Sequence, residues 1–220
     1  RRVLCVWLPN LAIERWARSS GCAPDSPAVL ILEGPHGPVI HAATRAAAER
    51  GARPGTRLTD ARALDPALAA VPADPEGDRA LLHRLARWAS RWSPLVEADG
   101  PDSLRLDVTG VAHLFGGEEG LAADVRERFA GLGLSTRVAI APTAAAAWAL
   151  ARFARSHSTV MPAKAGIHEH GGTKVRTKLF MDPGFRWGDD GELAEALAPL
   201  PVAALRLEPD TVRTLERLGL

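Results

Sequence analysis

The stretch SPLVEADGPDSLRLDVTG, residues 93–110, decides the fold of this chain. It predicts two short strands, Leu95–Ala98 and Leu104–Thr109, with a turn between them at Gly100-Pro101. In the second strand apolar and polar side chains alternate, which is typical of a strand with one buried face. We therefore expect a strand pair that carries several acidic residues at its turn.

A similar apolar strand opens the chain. Residues 3–14 read VLCVWLPNLAIE, so a strand over Val3–Leu8 ends at Pro9-Asn10 and leads into a helix. The remaining pattern predicts strands at Ala28–Leu32, Val39–Ala42 and Thr136–Ile140, and helices at Thr44–Arg50, Ala61–Leu64 (capped by Thr59-Asp60), Glu76–Trp92, Glu118–Phe129, Thr143–Ala154, Gly191–Leu200 and after Pro209-Asp210. This order of elements predicts an α+β fold with helices on one face of a sheet.

Composition excludes several classes of protein. The 220 residues are 46% hydrophobic and 24% charged with a net charge of +1, which is typical of a globular domain and gives no bulk attraction to nucleic acid. No apolar run reaches the length of a membrane span. Cys5 and Cys22 have neither metal-ligand nor redox spacing. We expect a cytoplasmic protein.

Residues 156–190 differ in composition from the rest of the chain. All of the lysines and both methionines lie in this segment, whereas the first 155 residues use arginine as their only long basic side chain. The segment resembles a translated bacterial interspersed repeat. We expect a low-order insertion in a loop, which a fold can accommodate because loop closure becomes costlier only logarithmically with length.

Four motifs together resemble the Y-family (UmuC-type) translesion DNA polymerases, and in particular their non-catalytic ImuB-type branch. They are the opening strand with residues 9–14, Gly51-Ala52-Arg53-Pro54-Gly55, the stretch 93–110, and Val138-Ala139-Ile140-Ala141-Pro142. The resemblance implies a ferredoxin-like palm over residues 1–18 and 76–155, a fingers lobe over 19–75, and the start of a helix-hairpin-helix thumb over 191–220. The chain is expected to be partial.

The family's chemistry needs two Mg²⁺ ions about 4 Å apart, held by carboxylate oxygens. Where the family places its first-strand acids, residues 5–8 of this chain read CVWL. In the second motif Asp102 matches one acid, but Ser103 replaces the neighbouring glutamate. We expect no catalytic residue beyond a vestigial Asp102, no bound metal and no cofactor. The simpler interpretation of Asp102 is a turn residue after Gly100-Pro101.

The residues that bind the nucleotide in the family are also replaced. Arg45 and Ala48 stand at the positions of a tyrosine and an arginine in the fingers helix, and Trp148 stands where a lysine is expected. The thumb loop that presents backbone N–H groups to a DNA phosphate has Arg206 and Glu208 at its glycine positions, which favours a purely structural helix.

Exposed basic and polar side chains are the candidates for contact with DNA phosphates. The other interpretation of the same side chains is a solvated helix face. The predicted set is Arg53, Arg57, Arg84, Arg87, Arg91, Thr211 and Arg213.

The resemblance implies a DNA-binding and assembly role in bacterial DNA-damage tolerance and the SOS response. Its implied partners are DNA, bound weakly and without sequence specificity, and a sliding clamp, an error-prone replicative-type polymerase and a RecA-like accessory protein. The clamp-contact segment is expected beyond this chain, and no membrane partner is implied. Two alternatives stay open: an active error-prone polymerase with substitute metal ligands, and a non-functional remnant of a truncated gene.

Overall fold

The structure is a computed structural model that describes residues 1–22, 26–154 and 190–218. Within these residues the chain forms two β-sheets with helices packed on them, and short 3-10 turns cover Ala89–Arg91, Ala112–Phe115 and Val202–Leu205. The strands are β1 (Val3–Trp7), β2 (Ala28–Gly34), β3 (Gly37–Ala43), β4 (Ala69–Pro72), β5 (Val96–Ala98), β6 (Ser103–Asp107) and β7 (Arg137–Ala141). The α-helices are α1 (Leu11–Ser20), α2 (Arg45–Glu49), α3 (Leu58–Leu64), α4 (Pro75–Trp88), α5 (Glu118–Gly131), α6 (Ala144–Phe153), α7 (Asp190–Leu197) and α8 (Pro209–Arg217).

The larger sheet is antiparallel and has the strand order β5-β6-β1-β7. Trp7, at the end of the central strand, lies opposite Ser103 on one side and Arg137 on the other. β6 ends two residues earlier than predicted, because the Asp107 carboxylate accepts a hydrogen bond from the backbone N–H of Thr109 at 3.0 Å and turns the chain. The predicted α+β class is confirmed.

The side chains of β1 alternate between two apolar layers. Leu4, Val6 and Leu8 pack beneath α4 and α5. Val3 and Cys5 point the other way and pack against α6 and α7. The expectation of helices on one face is therefore incomplete, because both faces of β1 are apolar and each needs a helical cover.

Aromatic side chains anchor α4 and α5 to the sheet. Trp92 is fully buried and stacks on Phe129 with 6.0 Å between ring centroids, while Trp88 meets both rings edge-on. The predicted helix over Glu76–Trp92 is α-helical only as far as Trp88, and a 3-10 turn then brings Ala89 and Trp92 into the core.

The smaller sheet has the order β3-β2-β4 and a core of its own beneath α2 and α3. The predicted β2–β3 hairpin is present, with longer strands and a shorter turn than expected. The predicted Thr59-Asp60 cap is wrong: α3 begins at Leu58, because Leu58 is buried in the core of this lobe. β4 pairs parallel to β2, and it had no clear signal because its four residues include two alanines and a proline.

The domain boundaries given above stay predictions. The expected insertion at 156–190 lies outside the described residues except for Asp190, which is the first residue of α7. In the part of the chain that the structure describes, no helix combines the length and the apolar content that crossing a membrane requires.

Candidate functional site

The candidate site lies where β1 and β6 end side by side, next to α6. The backbone N–H of Leu8 donates to the carbonyl oxygen of Asp102 at 2.8 Å, which extends the strand pairing past Trp7 and Ser103. Asp102 is thereby fixed at the level of the Trp7 side chain. The family places its metal-binding acids at these strand ends.

Both carboxylate oxygens of Asp102 have protein partners. The indole Nε1–H of Trp7 donates to Oδ2 at 3.0 Å. The guanidinium of Arg152, on α6, forms a salt bridge and a hydrogen bond with Oδ1. The Ser103 hydroxyl donates to the same Oδ1 at 3.1 Å. The Asp102 side chain is therefore a connector between β1, β6 and α6 and has more partners than a simple turn residue.

Arg152 lies between two tryptophans. Its guanidinium carbon is 5.1 Å from the ring centroid of Trp7 and 4.7 Å from that of Trp148, within the range of cation–π attraction. Trp148 and Arg152 are four residues apart on α6, so they share one face of the helix. Arg137 faces Trp7 at 5.6 Å, donates to the carbonyl oxygen of Arg152 at 2.9 Å, and donates also to that of Ala154.

Cys5 faces the same layer as Trp7 but lies deeper. Burial and, to a smaller extent, the nearby Asp99 carboxylate raise the pKa of its thiol to about 12, and the guanidinium groups of Arg152 and Arg206 oppose this rise only in part. The thiol is therefore neutral at physiological pH. A neutral thiol is a poor ligand for a hard cation.

The segment before α8 lies against this region through Arg206. Its guanidinium donates to both oxygens of Asp99 at 2.9 and 2.8 Å and lies 4.8 Å from the ring centroid of Trp148. The hydrogen bonds from Arg206 to Asp99 raise the pKa of the arginine, against the opposing effect of burial. Arg206 has a φ of 56°, in the left-handed region that favours glycine, and its side chain contacts the larger sheet.

The residues present do not fit a two-metal site. Of the residues at the family's acidic positions, only Asp102 is a carboxylate; Cys5, Trp7 and Ser103 offer a neutral thiol, an indole and a hydroxyl, and Val6 and Leu8 are apolar. Among the described residues, no three His, Cys, Asp or Glu side chains are grouped so that they could hold a metal ion. No catalytic step through Mg²⁺ can be derived from this arrangement.

The residues at the nucleotide-binding positions have other contacts. Arg45 pairs with Glu49 along α2 at 2.8 Å. Trp148, at the lysine position, stacks with Arg152 and Arg206 as described above. Ala48 offers no polar group.

The predicted DNA-contact residues lie in three regions of the molecule. Arg53 and Arg57 are exposed on the fingers lobe, and Thr211 and Arg213 are exposed on α8, where Arg213 pairs with Asp210. The other three lie on or just after α4, which packs on the sheet face opposite to α6; they are Arg84, Arg87 and Arg91. Arg91 also covers Trp88, with 4.2 Å from its guanidinium carbon to the ring centroid. The predicted residues therefore lie on separate elements, and those on α4 lie on the sheet face opposite to α6.

Sequence reasoning missed the role of Arg137, Arg152 and Arg206. The four-residue spacing of Trp148 and Arg152 was the local signal available for one of them. The contacts of Arg137 and Arg206 join distant segments and have no local pattern.

Comparison with known proteins shows the family of this chain. A family model described as IMS, the impB/mucB/samB family, matches residues 24–152, which is more than half of the chain. The chain is 41% identical over 170 residues to protein ImuB of Caulobacter vibrioides, strain NA1000 / CB15N, covering 77% of this chain and 31% of that protein. Protein ImuB of strain ATCC 19089 / CIP 103742 / CB 15 matches over the same shares, so the chain spans about a third of these relatives.

Solved structures agree on the fold. The chain is similar to DinB from Sulfolobus solfataricus, with 19% identity and a TM-score of 0.58 over 69% of this chain and 45% of that one. It is also similar to Dbh DNA polymerase in a post-insertion binary complex, with 19% identity and a TM-score of 0.62 over the same shares. The resemblance to Y-family polymerases of the ImuB type is confirmed, and the chain belongs to the impB/mucB/samB family.

Proposed function

We propose that this chain is a non-catalytic, Y-family polymerase-like module of bacterial DNA-damage tolerance, which acts in the cytoplasm as a DNA-binding and assembly unit. The observation that carries the proposal is the occupation of Asp102 by Trp7 and Arg152. A carboxylate whose two oxygens are already engaged by protein donors, one of them a guanidinium, is a poor ligand for a metal ion because the fixed positive charge competes for it. The absence of the other acids and of the lysine at Trp148 supports the same conclusion.

Primer extension tests the non-catalytic part of the proposal. The protein is incubated with a primed template, the four deoxynucleotides and either Mg²⁺ or Mn²⁺, with Dbh polymerase as the positive control. We expect no template-dependent incorporation. Incorporation that Asp102→Ala abolishes would instead identify an active polymerase with substitute metal ligands and would overturn the proposal.

DNA binding is the second part, and its support is the set of exposed arginines. Arg53 and Arg57 are exposed and have no ion-pair partner among the described residues. Contacts with phosphates release counterions, so the observed affinity must rise as salt is lowered. Fluorescence anisotropy with labelled single-stranded and duplex DNA should show weak binding of this kind for any sequence. Absence of binding even at low salt would contradict this part.

Two double variants test which face binds DNA. Two positive charges are removed in each of them, in the fingers lobe by Arg53→Ala/Arg57→Ala and on α4 by Arg84→Ala/Arg87→Ala. The α4 pair lies on the sheet face opposite to Asp102. We expect the first pair to reduce the salt slope by about 2 and the second to change it little. A larger loss from the α4 pair would place DNA on the other face.

The assembly role concerns the whole protein. By its likeness to protein ImuB, we propose that the full-length protein connects a sliding clamp, an error-prone replicative-type polymerase and a RecA-like accessory protein. Co-purification of each candidate partner with the full-length protein, and with this chain alone, tests the role. The gene-remnant alternative predicts in contrast that this chain unfolds without a cooperative transition, which calorimetry would reveal.

A further inference from the structure

We propose that the guanidinium of Arg152 is a built-in cation that takes the place of a catalytic metal ion at Asp102 and excludes divalent cations from this palm. The inference rests on the proposed function, because a palm with active metal ions would need its acids free. It goes further in naming the residue that keeps metal out. Loss of the acids alone would leave a site that binds divalent cations weakly. A fixed positive charge beside Asp102 abolishes this remaining binding.

Both oxygens of Asp102 are engaged by protein donors. Oδ1 accepts from the Arg152 guanidinium and from the Ser103 hydroxyl, and Oδ2 accepts from the Trp7 indole. Arg152 also reaches the Ser103 hydroxyl oxygen at 3.3 Å, so the guanidinium spans the two positions where the family has neighbouring acids. A metal ion at Asp102 would have to break these contacts.

The position of Arg152 is fixed. Its guanidinium lies between the rings of Trp7 and Trp148, and its side chain is only 19% exposed. Arg137 holds the backbone carbonyl of Arg152 itself. The guanidinium therefore cannot swing into solvent without losing a carboxylate and two aromatic faces.

The local charge also opposes a metal ion. Arg137 and Arg152 both contact the ring of Trp7, and Asp102 is the acid that pairs with Arg152. A divalent cation entering this space would meet two fixed positive charges and one shared carboxylate. Repulsion over a few ångströms is strong at a partly buried site, so the arrangement selects against metal.

The experiment restores a second carboxylate and then removes the arginine. Trp7→Asp places a new acid next to Asp102, and Arg152→Met removes the positive charge while keeping most of the side chain's length. Binding of Mn²⁺ is measured from the electron paramagnetic resonance signal of the free ion. We expect the double variant Trp7→Asp/Arg152→Met to bind Mn²⁺ roughly tenfold or more tightly than Trp7→Asp alone.

A matched control distinguishes a local effect at Asp102 from an effect of the protein's net charge. Trp7→Asp/Arg128→Met has the same total charge, but Arg128 lies on α5 and pairs with Asp124 on the opposite sheet face. It should bind Mn²⁺ no better than Trp7→Asp. If Trp7→Asp with Arg152 in place binds as tightly as the double variant, or if the folded double variant does not bind, the inference is wrong. Primer extension by the native protein would be unaffected, so the proposed function is judged separately.

A second measurement needs no new carboxylate. Mn²⁺ should raise the Tm of Arg152→Met and leave the Tm of the native protein and of Arg152→Lys unchanged, because a ligand stabilises only a fold that binds it. An equal rise in all three proteins, or no rise in Arg152→Met, would contradict the role assigned to Arg152.

Discussion

Asp102 has both of its carboxylate oxygens hydrogen bonded within the protein, by Trp7, Ser103 and Arg152. In a metal-dependent palm the corresponding acids repel one another until metal binds, so neutralising one of them tends to stabilise the fold at the expense of activity. Here the carboxylate neutralises a partly buried guanidinium. Whether a substitution of Asp102 raises or lowers the free energy of unfolding therefore shows which of these two roles the carboxylate has.

We predict that Asp102→Asn lowers the free energy of unfolding by about 1–3 kcal/mol, because it leaves Arg152 without its charge partner. Urea denaturation measures the change. The chain offers a matched control: Asp124 accepts from the Nε1–H of Trp92 at 2.7 Å and from Arg128 at 2.9 and 3.0 Å. Asp124→Asn should cost a similar amount. Stabilisation by Asp102→Asn beside destabilisation by Asp124→Asn would indicate a repulsive, metal-ready site.

Cys5 gives a pH-dependent prediction. Its thiol has an ordinary pKa of 9.0, which burial and the Asp99 carboxylate raise to about 12 in the folded protein. Above pH 9 the unfolded chain loses this proton while the folded chain keeps it, so the contribution to stability is complete below pH 9 and is lost between about 9 and 12. Iodoacetamide at pH 8 should label Cys5 only after denaturation, as read by peptide mass spectrometry. Prompt labelling of the folded protein would contradict the burial.

At the scale of elements, the first turn of α5 lies in close contact with the 3-10 turn that precedes it. A Cβ atom at Gly120, in the first turn of this helix, would collide with the backbone carbonyl oxygen of Phe115. That oxygen belongs to the 3-10 turn Ala112–Phe115, so it cannot move like a flexible side chain. A side chain at this position would therefore push the turn and the helix apart.

We predict that Gly120→Ala lowers the free energy of unfolding by about 2 kcal/mol or more, because the added methyl group forces the backbone apart. Gly131→Ala is the matched control at the other end of the same helix, where nothing lies within 4 Å of the new Cβ. It should change stability by about 0.5 kcal/mol or less in either direction. Equal effects of the two substitutions in thermal unfolding would show that the close approach is not rigid.

The elements were predictable where their signals were local. Apolar–polar alternation indicated β6, and helical periodicity indicated α4 and α5. β4 was missed because its pairing with β2 is decided by the packing of the lobe, and its own residues have weak strand propensity.

For the candidate site, only the missing acidic residues were predictable from the sequence. Trp7 and Asp102 are 95 residues apart in sequence, and Asp102 and Arg152 are 50 apart. Sequence patterns report neighbours on one strand or one helix face, so they showed that acids were missing but not which residues had filled their place.

At the scale of the whole molecule, the C-terminal segment of the described residues is joined to the larger sheet through an ion pair that lies on an aromatic surface. Arg206 binds Asp99 through two hydrogen bonds and lies over Trp148, while Ala196 of α7 is buried in the layer with Cys5. The joint therefore combines apolar burial with one directional charge contact. We expect the directional contact to add to the stability of this joint.

We predict a coupling free energy of about 1 kcal/mol between Asp99 and Arg206 in a double-mutant cycle with Asp99→Asn and Arg206→Gln. The control cycle uses Asp210 and Arg213, an exposed pair within α8, and should give about 0.3 kcal/mol. Chemical denaturation of the single and double variants measures both. A coupling at Asp99–Arg206 no larger than that of the control would mean that apolar packing alone holds the joint.

The burial of Cys5 under α6 has a consequence for any attempt to build an acidic cluster into this sheet. An aspartate at position 5 would place a carboxylate in a layer that is 2% exposed at that residue, at a cost of several kcal/mol. Ser103 is fully buried as well, so an acid there meets a similar penalty. Trp7 is only partly buried, so the end of β1 is the position where an engineered carboxylate is tolerated best.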